Sequence, residues 1–65
     1  MSDVWEGEVV VLAERPLSLL CDYENETAWI PKSEIQEGTD VESKGDSGTL
    51  VIPEWLAKKE GWHDE

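Results

Sequence analysis

One cysteine, one histidine and sixteen carboxylates are the groups in this chain best equipped for chemistry. A reactive thiol needs a cation or a helix N-terminus to lower its pKa, and Cys21 has neither nearby in sequence. The alternation Leu17, Leu19, Cys21, Tyr23 places it on the apolar side of a strand, where it reads as a small buried hydrophobe. His63 falls among the last residues beside two acids and reads as a solvated tail residue. Glu6 and Glu8 pair on one strand face, but acid–base work needs a pocket that separates their pKa values. A chain of 65 residues has little room for one. Asp40, Glu42 and Asp46 cluster with Gly45 and Gly48, yet their spacing does not match the EF-hand loop. One Cys and one His exclude both a disulfide and the usual closed zinc site. The expectation is a non-enzyme with no catalytic residues, no metal and no cofactor.

The carboxylates remain as a set. Sixteen Asp and Glu against five Lys and Arg give a net charge of −11, with a pI near 4.2. Such a chain cannot displace counterions from nucleic-acid phosphates or hold an anionic membrane. Four Trp suggest a stacking platform for single strands, but that needs a positive groove. The charge therefore points to a protein partner that is itself basic. Residues two apart on a strand lie ~6.5–7 Å apart on one face, a separation comparable to that of neighbouring phosphates. Glu6 and Glu8 make one such pair. Asp22 and Glu24 make another. Glu34, Glu37, Asp40, Glu42 and Asp46 follow as a second row. Charges this dense repel one another and destabilise a small fold. A basic nucleic-acid channel would offset that repulsion, so these nine carboxylates are the candidate partner-binding residues.

The elements that must carry these rows form a single small domain over 1–65, expected to be α+β. Strand patterning runs over Val4–Ala13, with Trp5, Gly7, Val9, Val11 and Ala13 on one face. A second strand covers Leu17–Tyr23, a turn Glu24–Glu26, and a third strand Thr27–Ile30, which together read as an antiparallel meander. Pro31 ends strand pairing and suits a first helical position, so Pro31–Ile35 reads as one helical turn. Gln36–Gly48 is rich in Gly, Ser, Asp and Glu and reads as the most mobile stretch, with Thr39–Ser43 as an optional edge strand. Gly48–Ile52 is the last strand. Pro53 opens a short helix, with Glu54 early, Lys58 and Lys59 late, Gly61 at C′ and Trp62 at C″. The whole is a twisted antiparallel sheet of four or five strands with one C-terminal helix, which can curl into an SH3-like half-barrel. The expected core is Trp5, Val9, Val11, Leu17, Leu19, Trp29, Ile30, Ile35, Leu50, Ile52, Trp55 and Leu56. No apolar run approaches the ~18 residues of a membrane span, and Met1–Glu8 lacks the features of a signal peptide. A soluble cytoplasmic protein with a reduced thiol is expected.

Two segments, Trp29–Ile35 and Leu50–Trp62, resemble a pattern in small proteins of phages and mobile elements. In size, charge and lack of catalytic groups the chain is similar to anti-CRISPR and anti-restriction inhibitors that mimic DNA. The resemblance implies a host-defence target such as a CRISPR effector subunit, met in the bacterial cytoplasm, and transfers no binding residue. The competing readings are a phage accessory protein that binds a replication or recombination protein without mimicry, and a small toxin–antitoxin or regulatory partner.

Overall fold

A computed structural model describes residues 3–62. Four strands, β1 (Val4–Arg15), β2 (Ser18–Tyr23), β3 (Glu26–Pro31) and β4 (Ser47–Pro53), pair antiparallel in the order β3-β2-β1-β4. The sheet is open, with β3 and β4 at its edges. A 3₁₀ turn at Lys32–Glu34 follows β3, and the helix α1 (Glu54–Lys59) follows β4. The α+β class, four-stranded meander-plus-return sheet and single C-terminal helix agree with the sequence pattern.

Local chemistry explains the connections. Glu24 and Asn25 have φ of 49° and 71°, the two left-handed residues of a type I′ hairpin, whose twist matches that of the strands. Glu54 opens α1 after Pro53, whose extended backbone makes it the N-cap. At the other end Gly61 takes φ 82°. Trp62 N–H then donates to Ala57 C=O at 2.8 Å, and Gly61 N–H to Lys58 C=O at 3.1 Å. These are the two bonds of a Schellman motif. They deliver the Trp62 indole into an aromatic triad, 5.3 Å from Trp5 and 5.8 Å from Tyr23, with Trp5 and Tyr23 edge-to-face at 4.8 Å. Gly7 lies beneath: a Cβ there would run into the Trp5 ring and stand 3.0 Å from Tyr23.

The core lies on one face of the sheet. Val9, Val11, Leu19, Cys21, Ala28, Ile30, Leu50 and Ile52 meet Leu56, Ala57, Trp62 and the loop residue Val41, with Trp5, Tyr23 and Ile35 packed against them. Three expected core residues are elsewhere. Leu17 is 80% exposed, because Pro16 and Leu17 form the β1–β2 turn rather than the start of β2. Trp55 is 57% exposed; Leu56 and Ala57, not Trp55, face inward in this six-residue helix. Trp29 pairs with Leu20 on the outer face, where the Arg15 guanidinium lies 4.0 Å above its ring.

Two element boundaries also move. The β1–β2 register slips between Val11 and Ala13, so Leu12 is the extra residue of a bulge. Beyond it Ala13 opposes Leu20, on the outer face, instead of continuing the Val9–Val11 row. Pro53 is the last residue of β4, not the first of the helix. Thr39–Ser43 is not a strand. Instead the 36–46 loop docks along β4 by single bonds: Gln36 N–H to Val51 C=O at 2.9 Å and Asp40 N–H to Thr49 C=O at 2.8 Å. Between them Val51 N–H donates to Thr39 Oγ1 at 2.9 Å. The loop closes on β1, where Gly45 N–H reaches Val11 C=O at 2.9 Å and Val11 N–H reaches Asp46 C=O at 2.8 Å.

Candidate functional site

The first acidic row is assembled by strand register. Glu6 and Glu8 point to the outer face of β1, opposite Val51 and Thr49 of β4. Asp22 lies on the same face of β2, opposite Val10. It is thus the diagonal neighbour of Glu8, ~7–8 Å away. Glu24 follows in the hairpin turn. The four carboxylates gather toward the end of the sheet where the β2–β3 turn lies.

None of the four takes part in an ion pair among the described residues, where the pairs are Lys32–Glu14 at 3.1 Å and Lys58–Glu54 at 4.0 Å. Arg15 is occupied by Trp29 and stands seven positions beyond Glu8 on β1, a run of ~23 Å in extended chain. Polar contacts to the row are sparse. Thr49 Oγ1 donates to Glu8 Oε2 at 3.4 Å, and Asp22 Oδ1 is buried without a hydrogen-bond partner.

The second row is not continuous with the first. Glu34 is half-buried in the 3₁₀ turn, while Glu37 and Glu42 are exposed. Asp40 leans over Gly48, whose Cβ position would lie 3.1 Å from that of Asp40. Gly48 opposes Val9, so this contact is on the core face rather than the Glu6–Glu8 face. The Asp46 carboxylate is engaged within its own loop, where Oδ2 accepts the backbone N–H groups of Glu42 at 2.9 Å and Ser43 at 3.0 Å. Those two bonds hold its carboxyl below the usual carboxylate range.

The thiol of Cys21 is fully buried, and burial pushes its pKa up to about 11. That is opposite to the shift a nucleophile requires. His63 lies outside the described residues. Among the described residues no group of His, Cys, Asp and Glu has a metal-binding arrangement, and no helix is long and apolar enough to cross a membrane.

The sequence reading missed the apolar component of the outer face. Val10 and Leu12 are 43% and 42% exposed, and the partly buried Leu20 and Trp29 continue the strip across β2 and β3. The signal was present for Val10, Leu12 and Leu20, which share strand faces with Glu6, Glu8 and Asp22. For Trp29 it was not, because an aromatic in a short strand reads equally well on either side.

No family model matches the chain, and neither a curated protein nor a solved structure matches it.

Proposed function

We propose that this chain is a non-enzymatic inhibitor whose carboxylates take the place of DNA phosphates in the basic nucleic-acid-binding site of another protein. A CRISPR effector or a restriction enzyme of a bacterial host is the target class that its size and charge fit best. The observation that carries the reading is the convergence of Glu6, Glu8, Asp22 and Glu24 on one end of one face, none of them in a described ion pair. Carboxylates outside ion pairs keep their attraction for Arg and Lys of a partner. A row of them steers encounter with a positive channel. Glu34 in the turn after β3 and Glu37, Asp40 and Glu42 in the loop that docks along β4 add to the negative field, and Asp46 contributes chiefly by shaping that loop.

The test is a gel shift and cleavage assay of a CRISPR effector on its target DNA. Wild-type protein should compete with DNA, and the competition should weaken steeply as salt is raised. Glu6→Lys combined with Glu8→Lys should fold and compete poorly. A folded double variant that inhibits as well as wild type would reduce the row to a solvated surface.

The exposed Val10 and Leu12 beside this row support the second reading, an accessory protein that docks on a replication or recombination protein through apolar contacts. Binding that ignores salt but is lost on Leu12→Ser would favour it over mimicry.

A further inference from the structure

The two edges of the sheet are treated differently. On β4, Thr49 C=O and both backbone groups of Val51 are taken up by the 36–46 loop. On β3 nothing comparable occurs among the described residues. The two-residue hairpin makes Tyr23 and Glu26 a hydrogen-bonded pair, and Lys32 N–H donates to Leu17 C=O at 2.9 Å in the same phase. Bonds alternate along an antiparallel ladder. Glu26, Ala28 and Ile30 therefore turn their backbone groups toward β2, while Thr27, Trp29 and Pro31 turn theirs outward. Among the described residues, no backbone bond takes up those outward groups.

We propose that this edge is a self-association site: β3 pairs antiparallel with β3 of a second copy about a two-fold axis at Trp29, making one eight-stranded sheet from two. In this register Trp29 of each copy exchanges two hydrogen bonds with Trp29 of the other. Thr27 N–H donates to Pro31 C=O of the second copy, and the second copy's Thr27 N–H donates to Pro31 C=O of the first. All four outward N–H groups are satisfied, and Pro31 serves where an acceptor is required.

Charge selects the occupant. Glu26 and Lys32 are six residues apart, so they fall on the same face of β3 and its extension, one at each end. The register about Trp29 sets Glu26 opposite Lys32 of the second copy, twice. Lys32 in the free chain reaches inward to Glu14 of β1 at 3.1 Å, and on dimerisation its ammonium exchanges that partner for Glu26 of the second copy. A uniformly basic strand would meet Lys32 at one end; an antiparallel second copy matches both ends. Asp22 opposite Thr27, Glu24 in the hairpin and Glu34 in the 3₁₀ turn lie near this edge and oppose the pairing, while the rest of the net charge of −11 acts from farther away. β1, with Glu6 and Glu8, is two strand spacings from β3, ~10 Å. The acidic loop lies beyond β4, more than ~14 Å away, against a Debye length of ~8 Å at physiological salt.

This proposal stands apart from the DNA-mimic reading and is tested without any target. Sedimentation equilibrium of the full chain, from ~10 μM to ~1 mM in ~0.15 M salt, should show a monomer–dimer equilibrium. Glu26→Lys and Lys32→Glu should each weaken it at least ~tenfold by facing like charges across the strands. An equimolar mixture of the two variants should recover dimer, because the opposed pairs are again opposite in sign. Thr27→Pro removes an outward N–H, spares the bonds to β2, and should abolish dimerisation while the thermal melt remains cooperative. A wild-type protein that stays monomeric throughout, folded variants that dimerise like wild type, or a mixture that fails to recover would each overturn the proposal.

Discussion

Trp62 and Trp55 are seven positions apart and have opposite fates, which makes them a direct test of where α1 is anchored. Trp62 is 2% exposed and closes the aromatic triad. Trp62→Ala should cost ~3–5 kcal/mol, a large part of the stability of a small domain. Trp55→Ala, at 57% exposure, should change it by less than ~1 kcal/mol. Chemical denaturation of both variants measures the contrast. The sequence signalled Trp62 through Gly61, since a C′ glycine forecasts a hydrophobic residue folding back. It held no comparable signal for Trp55, whose orientation depends on which side of a short helix meets the sheet. Cys21 offers a second test. Its folded pKa lies near 11, above the ordinary value of 9.0. A neutral thiol is thus favoured by folding, and this contribution is complete below pH ~9. It is lost as pH rises through ~11. Stability against alkaline pH should fall more steeply for wild type than for Cys21→Ala across that window. Native Cys21 should react slowly with thiol reagents and quickly once unfolded.

Among the elements, strands with clean alternation were legible and the segment between them was not. Val4–Val11 and Leu19–Tyr23 show period two because one face is core, and the turn residues Glu24–Asn25 mark their own hairpin. The bulge at Leu12 leaves no trace in composition, since Val10, Val11, Leu12 and Ala13 are all apolar. The 36–46 loop reads as mobile from its Gly, Ser and acidic residues, yet it is tethered at Gln36, Thr39, Asp40, Gly45 and Asp46. Such tethers are long-range bonds to Val51, Thr49 and Val11, which no local pattern announces. Thr39→Val should keep the shape of the side chain while leaving Val51 N–H unpaired, at a cost of ~1–3 kcal/mol. Amide exchange at Val51 should rise with it. Asp46→Ala should release the Glu42 and Ser43 amides and speed their exchange, with the sheet amides unchanged.

At the level of the whole molecule, charge is the dominant property. The nine carboxylates picked from sequence do not form one surface, because register divides them: Glu6, Glu8, Asp22 and Glu24 share an end of the outer face, whereas Asp40 leans to the core side and Asp46 is engaged by its own loop. That division came from strand pairing, which spacing along the chain does not encode. A net charge of −11 should make stability depend on screening. The melting temperature should rise as salt is increased from ~10 to ~150 mM, and less so for the Glu6→Lys, Glu8→Lys variant.

The sheet order has a consequence for the time course of folding. β1 sits inside the sheet, yet its β4 neighbour is made last: Val4 pairs with Pro53, 49 positions later, and Val10 with Ser47, 37 positions later. A nascent chain thus carries the hairpins of β1–β3 with one side of its central strand bare until β4 emerges. Contacts of such sequence separation are slow to close. Refolding by stopped flow should be a single exponential in the millisecond-to-second range, and chains cut before Ser47 should populate no stable intermediate.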